Sequence, residues 1–240
     1  MTKTFLTLTL LIPFALSSAI RADDNGTLIF SDDFERTESQ EITDEVGNGW
    51  GTNSKSRAGG HKQVDLKNGA MHIKMHPTAD HAVSVTHPAE FRDGVVELRF
   101  MLENDTDRLG LDFADLKFKG VHAGHLFKVD VTTKFVQIND MKSGNMNMKF
   151  YDAKKAKELT AEQLTFLKTT IKKFPTKIAK GEWHELTVRI VGEQVTASVD
   201  GTEVAKFTAP GFAHPTKRML RLAVPHSAVV DDVKIYSLAN

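Results

Sequence analysis

Over much of the C-terminal half, apolar and polar residues alternate. Glu185-Leu186-Thr187-Val188-Arg189-Ile190 does so, and so does Val195-Thr196-Ala197-Ser198-Val199. A period of two gives each strand one face for a core and one for water. Asp200-Gly201 follows directly, and Thr202 to Phe207 then runs on. Asp-Gly between two such runs predicts a hairpin with a tight turn. Val95 to Leu102 carries the strongest pattern: Val96, Leu98, Phe100 and Leu102 share one face, and Glu97, Arg99, Met101 and Glu103 the other. Similar runs occur at Leu28–Phe30, Met71–Met75, Ala82–Thr86, Arg108–Phe113, His125–Val131, Phe135–Ile138, Arg218–Val224 and Val230–Tyr236. Many short strands separated by turns predict an all-β chain, an antiparallel jelly-roll β-sandwich.

One segment departs from that period. Residues 152–174 read as a single inserted amphipathic helix. Thr160 with Gln163 fits a capping box, Leu164, Leu167, Ile171 and Phe174 form a stripe, and Phe174-Pro175 ends it. With no composition shift and no repeat, residues 23–240 read as one domain carrying that insertion.

The N-terminus changes the picture of where the chain works. Lys3 precedes an apolar run from Phe5 to Ala15, and Ala22 precedes the acidic Asp23. This predicts a secretory signal peptide over residues 1–22. The apolar run is shorter than the ~20 residues needed to span a bilayer, so no membrane anchor is expected after its removal. The chain has no cysteine, hence no disulfide and no thiolate metal site. An exported chain without disulfides suits a bacterial periplasmic or secreted protein. The 31 basic and 31 acidic residues balance, which argues against nucleic acid as a partner.

Several segments together resemble a known superfamily. They are Phe30-Ser31-Asp32-Asp33-Phe34, Gly49-Trp50, Phe91 to Phe100, Gly181-Glu182-Trp183-His184, Val199-Asp200-Gly201 and Val230 to Ile235. The chain resembles the concanavalin A-like jelly rolls, which include laminin-G-like modules, legume-type lectins and family 16 glycoside hydrolases. Its layout is most similar to the bacterial 3-keto-disaccharide hydrolase domain family. The resemblance implies a carbohydrate ligand lying across a concave sheet. The acidic Glu-x-Asp-x-x-Glu pattern of family 16 hydrolases is missing, and retaining glycosidases need two carboxyls ~5 Å apart. Ordinary glycoside hydrolysis is therefore disfavoured.

Candidate contacts follow from side-chain chemistry. Glu97 and Arg99 on one polar strand face, with Asp112 and His125, could hydrogen-bond a glycan, with Trp50, in a glycine-rich loop, either stacking at the rim or buried in the core. Trp183 opens a strand, where the resemblance implies a core residue. His122-Ala123-Gly124-His125 would bring two imidazoles to one junction, fit for acid–base work. The resemblance implies a structural calcium near the chain ends, for which Asp32 and Asp232 offer hard oxygens. The leading expectation is a carbohydrate-recognising, lectin-like module. One alternative is a 3-keto-disaccharide hydrolase-like glycosidase or lyase, whose elimination chemistry needs only one good base. The other is a laminin-G-like protein-binding module.

Overall fold

The computed structural model describes residues 26–239; the expected signal peptide lies outside them. The described strands are, in chain order, β1 (Thr27–Asp32), β2 (Gly51–Thr52), β3 (Val64–Lys67), β4 (Ala70–Lys74), β5 (Val83–Phe91), β6 (Gly94–Met101), β7 (Arg108–Ala114), β8 (His125–Thr132), β9 (Phe135–Asp140), β10 (Ile171–Pro175), β11 (His184–Val191), β12 (Gln194–Val199), β13 (Thr202–Thr208), β14 (Lys217–Val224) and β15 (Ser227–Ser237). The helices are α1 (Ser54–Arg57), α2 (Met148–Ala156) and α3 (Ala161–Thr169).

The strands form two antiparallel sheets packed as a sandwich. One has the order β13-β12-β11-β6-β15-β4-β3, with β1 also paired to β15. The other has the order β10-β9-β8-β7-β14-β5-β2. The jelly-roll expectation is met. The alternation on β6 does what its sequence requires: Val96, Leu98 and Phe100 are buried at 0–3% exposure. The hairpin at Asp200-Gly201 takes positive φ at both residues, 50° and 75°, as a tight two-residue turn between twisted strands demands.

The core between the sheets is rich in phenylalanine. Phe113 stacks on Phe127 with centroids 4.6 Å apart, and Phe127 and Phe207 each meet Phe212 edge-on. Burial of such rings is the main favourable term in folding. At one end Phe30 stacks on His87 at 3.6 Å, and Trp50 lies 5.0 Å from the same imidazole.

The insertion differs from the expected single helix. Lys157 adopts φ 61° and ends α2, and Thr160 then starts α3 with both hydrogen bonds of the capping box present. Two short helices replace one because the left-handed residue stops the hydrogen-bond ladder. Ile171 and Phe174 are not in a helix at all. They lie on β10, which pairs with β9 at the sheet edge. Leu164 and Phe166 on α3 stay about half exposed.

Burial pushes the His87 imidazole below its ordinary pKa of 6.5, and His214 is shifted the same way. A lowered folded pKa means the unfolded chain binds more protons below 6.5. The stability from these neutral rings is complete above that value and is lost as pH falls through the folded values. Urea unfolding should give a lower free energy at about pH 5.5 than at about pH 7.5, and His87→Gln should narrow the difference. Stability that rises toward the acid value would contradict this.

Candidate functional site

Cross-strand register assembles a polar row on the outer face of the seven-stranded sheet. Arg221 of β14 pairs with Asp112 of β7, Asp112 with Lys128 of β8, and Lys128 with Asn139 of β9. The next row holds Ala223, Gly110, Asp130 and Gln137. On β7 the alternation sends Leu109, Leu111 and Phe113 inward, so Asp112 faces outward. Even so, Asp112 is only 4% exposed, Asp130 2% and Asn139 7%. Outward side chains with so little water contact lie in a recess. Gly110 helps to make it, since a Cβ there would come within 2.8 Å of the Asp130 carboxylate.

His125 completes the centre. Its Nδ1 lies 2.5 Å from Asp112 Oδ2. A carboxylate only accepts, so Nδ1–H donates to Asp112 and Nε2 keeps its lone pair. Arg221 lies against the same ring, with Nη1 3.0 Å from Nδ1 and 3.4 Å from Nε2. Arg221 Nη2 donates to Ala123 O at 2.7 Å. Ala123 and Gly124 take φ 49° and 73°, which turns that carbonyl toward the guanidinium. His125 keeps 23% of its side-chain surface and Arg221 11%. The result is one imidazole base, oriented from below by a buried acid and flanked by a cation. Lys128 adds a second cation nearby, 3.0 Å from Asp130.

A second His–Asp pair lies beyond it. His214 Nε2 is 3.1 Å from Asp115 Oδ2, and Arg218 reaches both Asp115 and Glu90. Burial would raise the Asp115 pKa, but His214, the Lys117 amide and Arg218 outweigh it and hold the carboxyl low. His214 keeps only 6% of its side-chain surface, so this pair is structural. His122 does not join His125. It stacks on Tyr151 of α2 at 3.9 Å, which moors the insertion beside the recess.

Of the residues expected to bind a glycan, Asp112 and His125 meet. Glu97 and Arg99 do not join them. They sit on β6, on the outer face of the opposite sheet. Trp50 is a core residue instead of a rim platform: it is 8% exposed and its indole donates to Asp32 Oδ2 at 2.8 Å. Trp183, expected in the core, is 38% exposed. Arg221 was missed. The alternation of Arg218–Val224 sets it on the face opposite Leu220, Leu222 and Val224, but only register shows that this face is the one holding Asp112.

The Asp32–Asp232 pair does not fit calcium. Arg36 forks onto both Asp32 oxygens at 2.6 and 2.9 Å, and Phe34 N and Trp50 Nε1 take the remaining lone pairs. Burial would raise the Asp32 pKa, but these donors together hold the carboxyl below its usual range. Asp232 turns to Arg99 instead. Among the described residues, the three carboxylates close enough to share a metal, Glu38, Glu41 and Asp65, already converge on the Lys62 ammonium at 2.6–2.8 Å. Chelator should therefore leave the melting temperature unchanged. Asp32→Ala, which strands a part-buried Arg36, should cost about 3 kcal/mol. A fall in melting temperature with chelator, restored by calcium, would contradict the first expectation, and an Asp32→Ala variant as stable as wild type would contradict the second.

Known proteins extend this picture. Residues 39–234 match the model of the 3-keto-alpha-glucoside-1,2-lyase-like domain. The chain belongs to that family. No curated protein matches the sequence. Among solved structures, SCLam, a non-specific endo-β-1,3(4)-glucanase of family GH16, is similar with a TM-score of 0.59 at 15% identity, covering 90% of this chain and 92% of that one. The laminarinase from Rhodothermus marinus gives 0.59 at 12% identity, covering 89% and 98%. The carbohydrate-binding module CBM66 from Bacillus subtilis gives 0.53 at 13% identity, covering 79% and 96%. At these identities the likeness is one of fold.

Proposed function

We propose that this chain is a lyase acting on 3-keto-glycosides, with His125 as its base. The observation that carries the reading is the imidazole seated on buried Asp112 with Arg221 against its ring. A lectin surface would need exposed aromatic platforms, and this recess offers acid–base groups instead. Membership of the 3-keto-alpha-glucoside-1,2-lyase-like family supports the same chemistry. The N-terminal leader pattern supports a periplasmic or secreted setting, where such a protein would meet its sugar.

The chemistry follows from the substrate. A ketone at C3 acidifies the C2 proton. His125 Nε2 removes it, and the electron pair moves onto the C3 oxygen as an enolate. Arg221 and Lys128 supply positive charge for that oxygen. The enolate then collapses, forming the C1–C2 double bond as the C1–O bond breaks. The leaving oxygen takes a proton from the imidazolium. One base and one electrophile suffice, so no carboxylate pair is required. Asp112 orients the base and stabilises its charged form, as the acid in a His–Asp pair does.

Purified protein should convert a 3-keto-α-glucoside to a 2-hydroxyglycal-type enone and free alcohol, followed by mass spectrometry. His125→Gln should lower kcat about 10²–10⁴-fold, and Asp112→Asn should also lower kcat with little change in KM. Wild-type protein without turnover, or His125→Gln at full rate, would defeat the proposal.

A further inference from the structure

The opposite sheet carries the residues that the recess left out. Trp183 begins the run into β11, and alternation puts Trp183, Glu185 and Thr187 on the outer face. Cross-strand pairing sets Glu185 beside Arg99 of β6 and Thr187 beside Glu97. Arg99 lies over the indole, its guanidinium carbon 4.7 Å from the ring centroid. Asp231 and Asp232 hold Arg99 from the other side at 3.2 and 3.5 Å. Burial, the main cause, raises the Asp231 carboxyl above its ordinary value. These contacts fix the guanidinium, and the guanidinium fixes the ring.

Two features make this surface more than a solvated outer face. Trp183 is 38% exposed although an indole is among the costliest side chains to leave wet. Beside it lies a depression of about 180 Å³ lined by Glu97, Arg99, Glu185, Thr187, Asp232 and Lys234. A guanidinium covers part of the ring and the rest is open to solvent. An indole next to a pit lined with acceptors and donors suits a pyranose. The C–H face of the sugar packs on the ring, and its equatorial hydroxyls reach the carboxylates and the guanidinium. A sugar with every hydroxyl equatorial presents a flat C–H face, whereas an axial hydroxyl would lift it off the indole.

We infer that Trp183, Arg99, Glu97 and Glu185 form a second carbohydrate-binding site for an all-equatorial, β-glucan-like chain, on the sheet opposite His125. It would hold the protein on a polysaccharide and take no part in bond breaking. The site stands on its own observations, whatever reaction His125 performs.

The two tryptophans make the test specific, since Trp50 is buried and Trp183 is not. Tryptophan emission would be followed while cellopentaose is added, with β-1,4-linked galactopentaose, which carries an axial hydroxyl, as the comparison. The inference expects a saturable emission change with cellopentaose that is equal in wild type and His125→Gln. It expects that change to vanish in Trp183→Ala and to require at least tenfold more galactopentaose. Calorimetry on Trp183→Phe should show weakened but measurable binding, because a phenyl ring keeps part of the stacking surface. No emission change with cellopentaose, an undiminished calorimetric signal in Trp183→Ala, or equal affinity for the two sugars would overturn it. Loss of binding in His125→Gln would also overturn it, by placing the sugar in the recess.

Discussion

A carboxylate held below the protein surface must be matched by donors, or its desolvation works against the fold. Asp112 is in that position on the outer face of the seven-stranded sheet. His125 donates to it and Arg221 lies 3.8 Å away, while its other oxygen has no hydrogen-bond partner among the described residues. This contact sets the histidine tautomer, turns the ring, and gives Arg221 something to rest against. The same demand explains the residues around it. Gly110 stays small so that Asp130 can sit in the next row, and Ala223 and Ala114 keep the neighbouring positions low. The recess is thus a consequence of strand register, built by side chains from four strands and bordered by the Ala123–Gly124 turn.

The two outer faces of the sandwich divide the chemistry. One gathers acid, base and cation under little water. The other presents an exposed indole, an arginine and a shallow pit. The interior between them is an aromatic stack that admits few such groups. Lys217 is the extreme case: its ammonium donates to the carbonyls of Arg92 and His214, and burial lowers its pKa to about 8. Its role is to close one end of the sandwich.

The strands were legible from their own residues because a period of two is a local signal. β6, β11 and β12 appear where alternation put them, and the Asp200-Gly201 turn follows from backbone preference. β10 was not legible. Ile171, Phe174 and the leucines of α3 fall at helical spacing, and only the pairing with β9 shows that the last turn is strand. The site was half legible. Asp112 and His125 could be named as polar groups on strands, but which residues share a face across two sheets depends on strand order, and a single strand does not report that order. For the same reason the sequence does not separate Glu97 and Arg99 from them, although they lie on the other sheet. Trp50 and Asp32 misled for another reason: a tryptophan in a glycine-rich loop and paired aspartates look available until Arg36 is seen to clasp the aspartate and the indole to seal it.

The central claim is that His125, set by Asp112, takes a proton from carbon beside a ketone. The most direct measurement is deuterium incorporation at C2 of a 3-keto sugar lacking a leaving group at C1, such as 3-keto-1,5-anhydroglucitol, followed by NMR in heavy water. The account predicts enzyme-dependent exchange at C2 that disappears in His125→Gln. An exchange rate that does not rise above the uncatalysed one, with the sugar shown to bind, would contradict it.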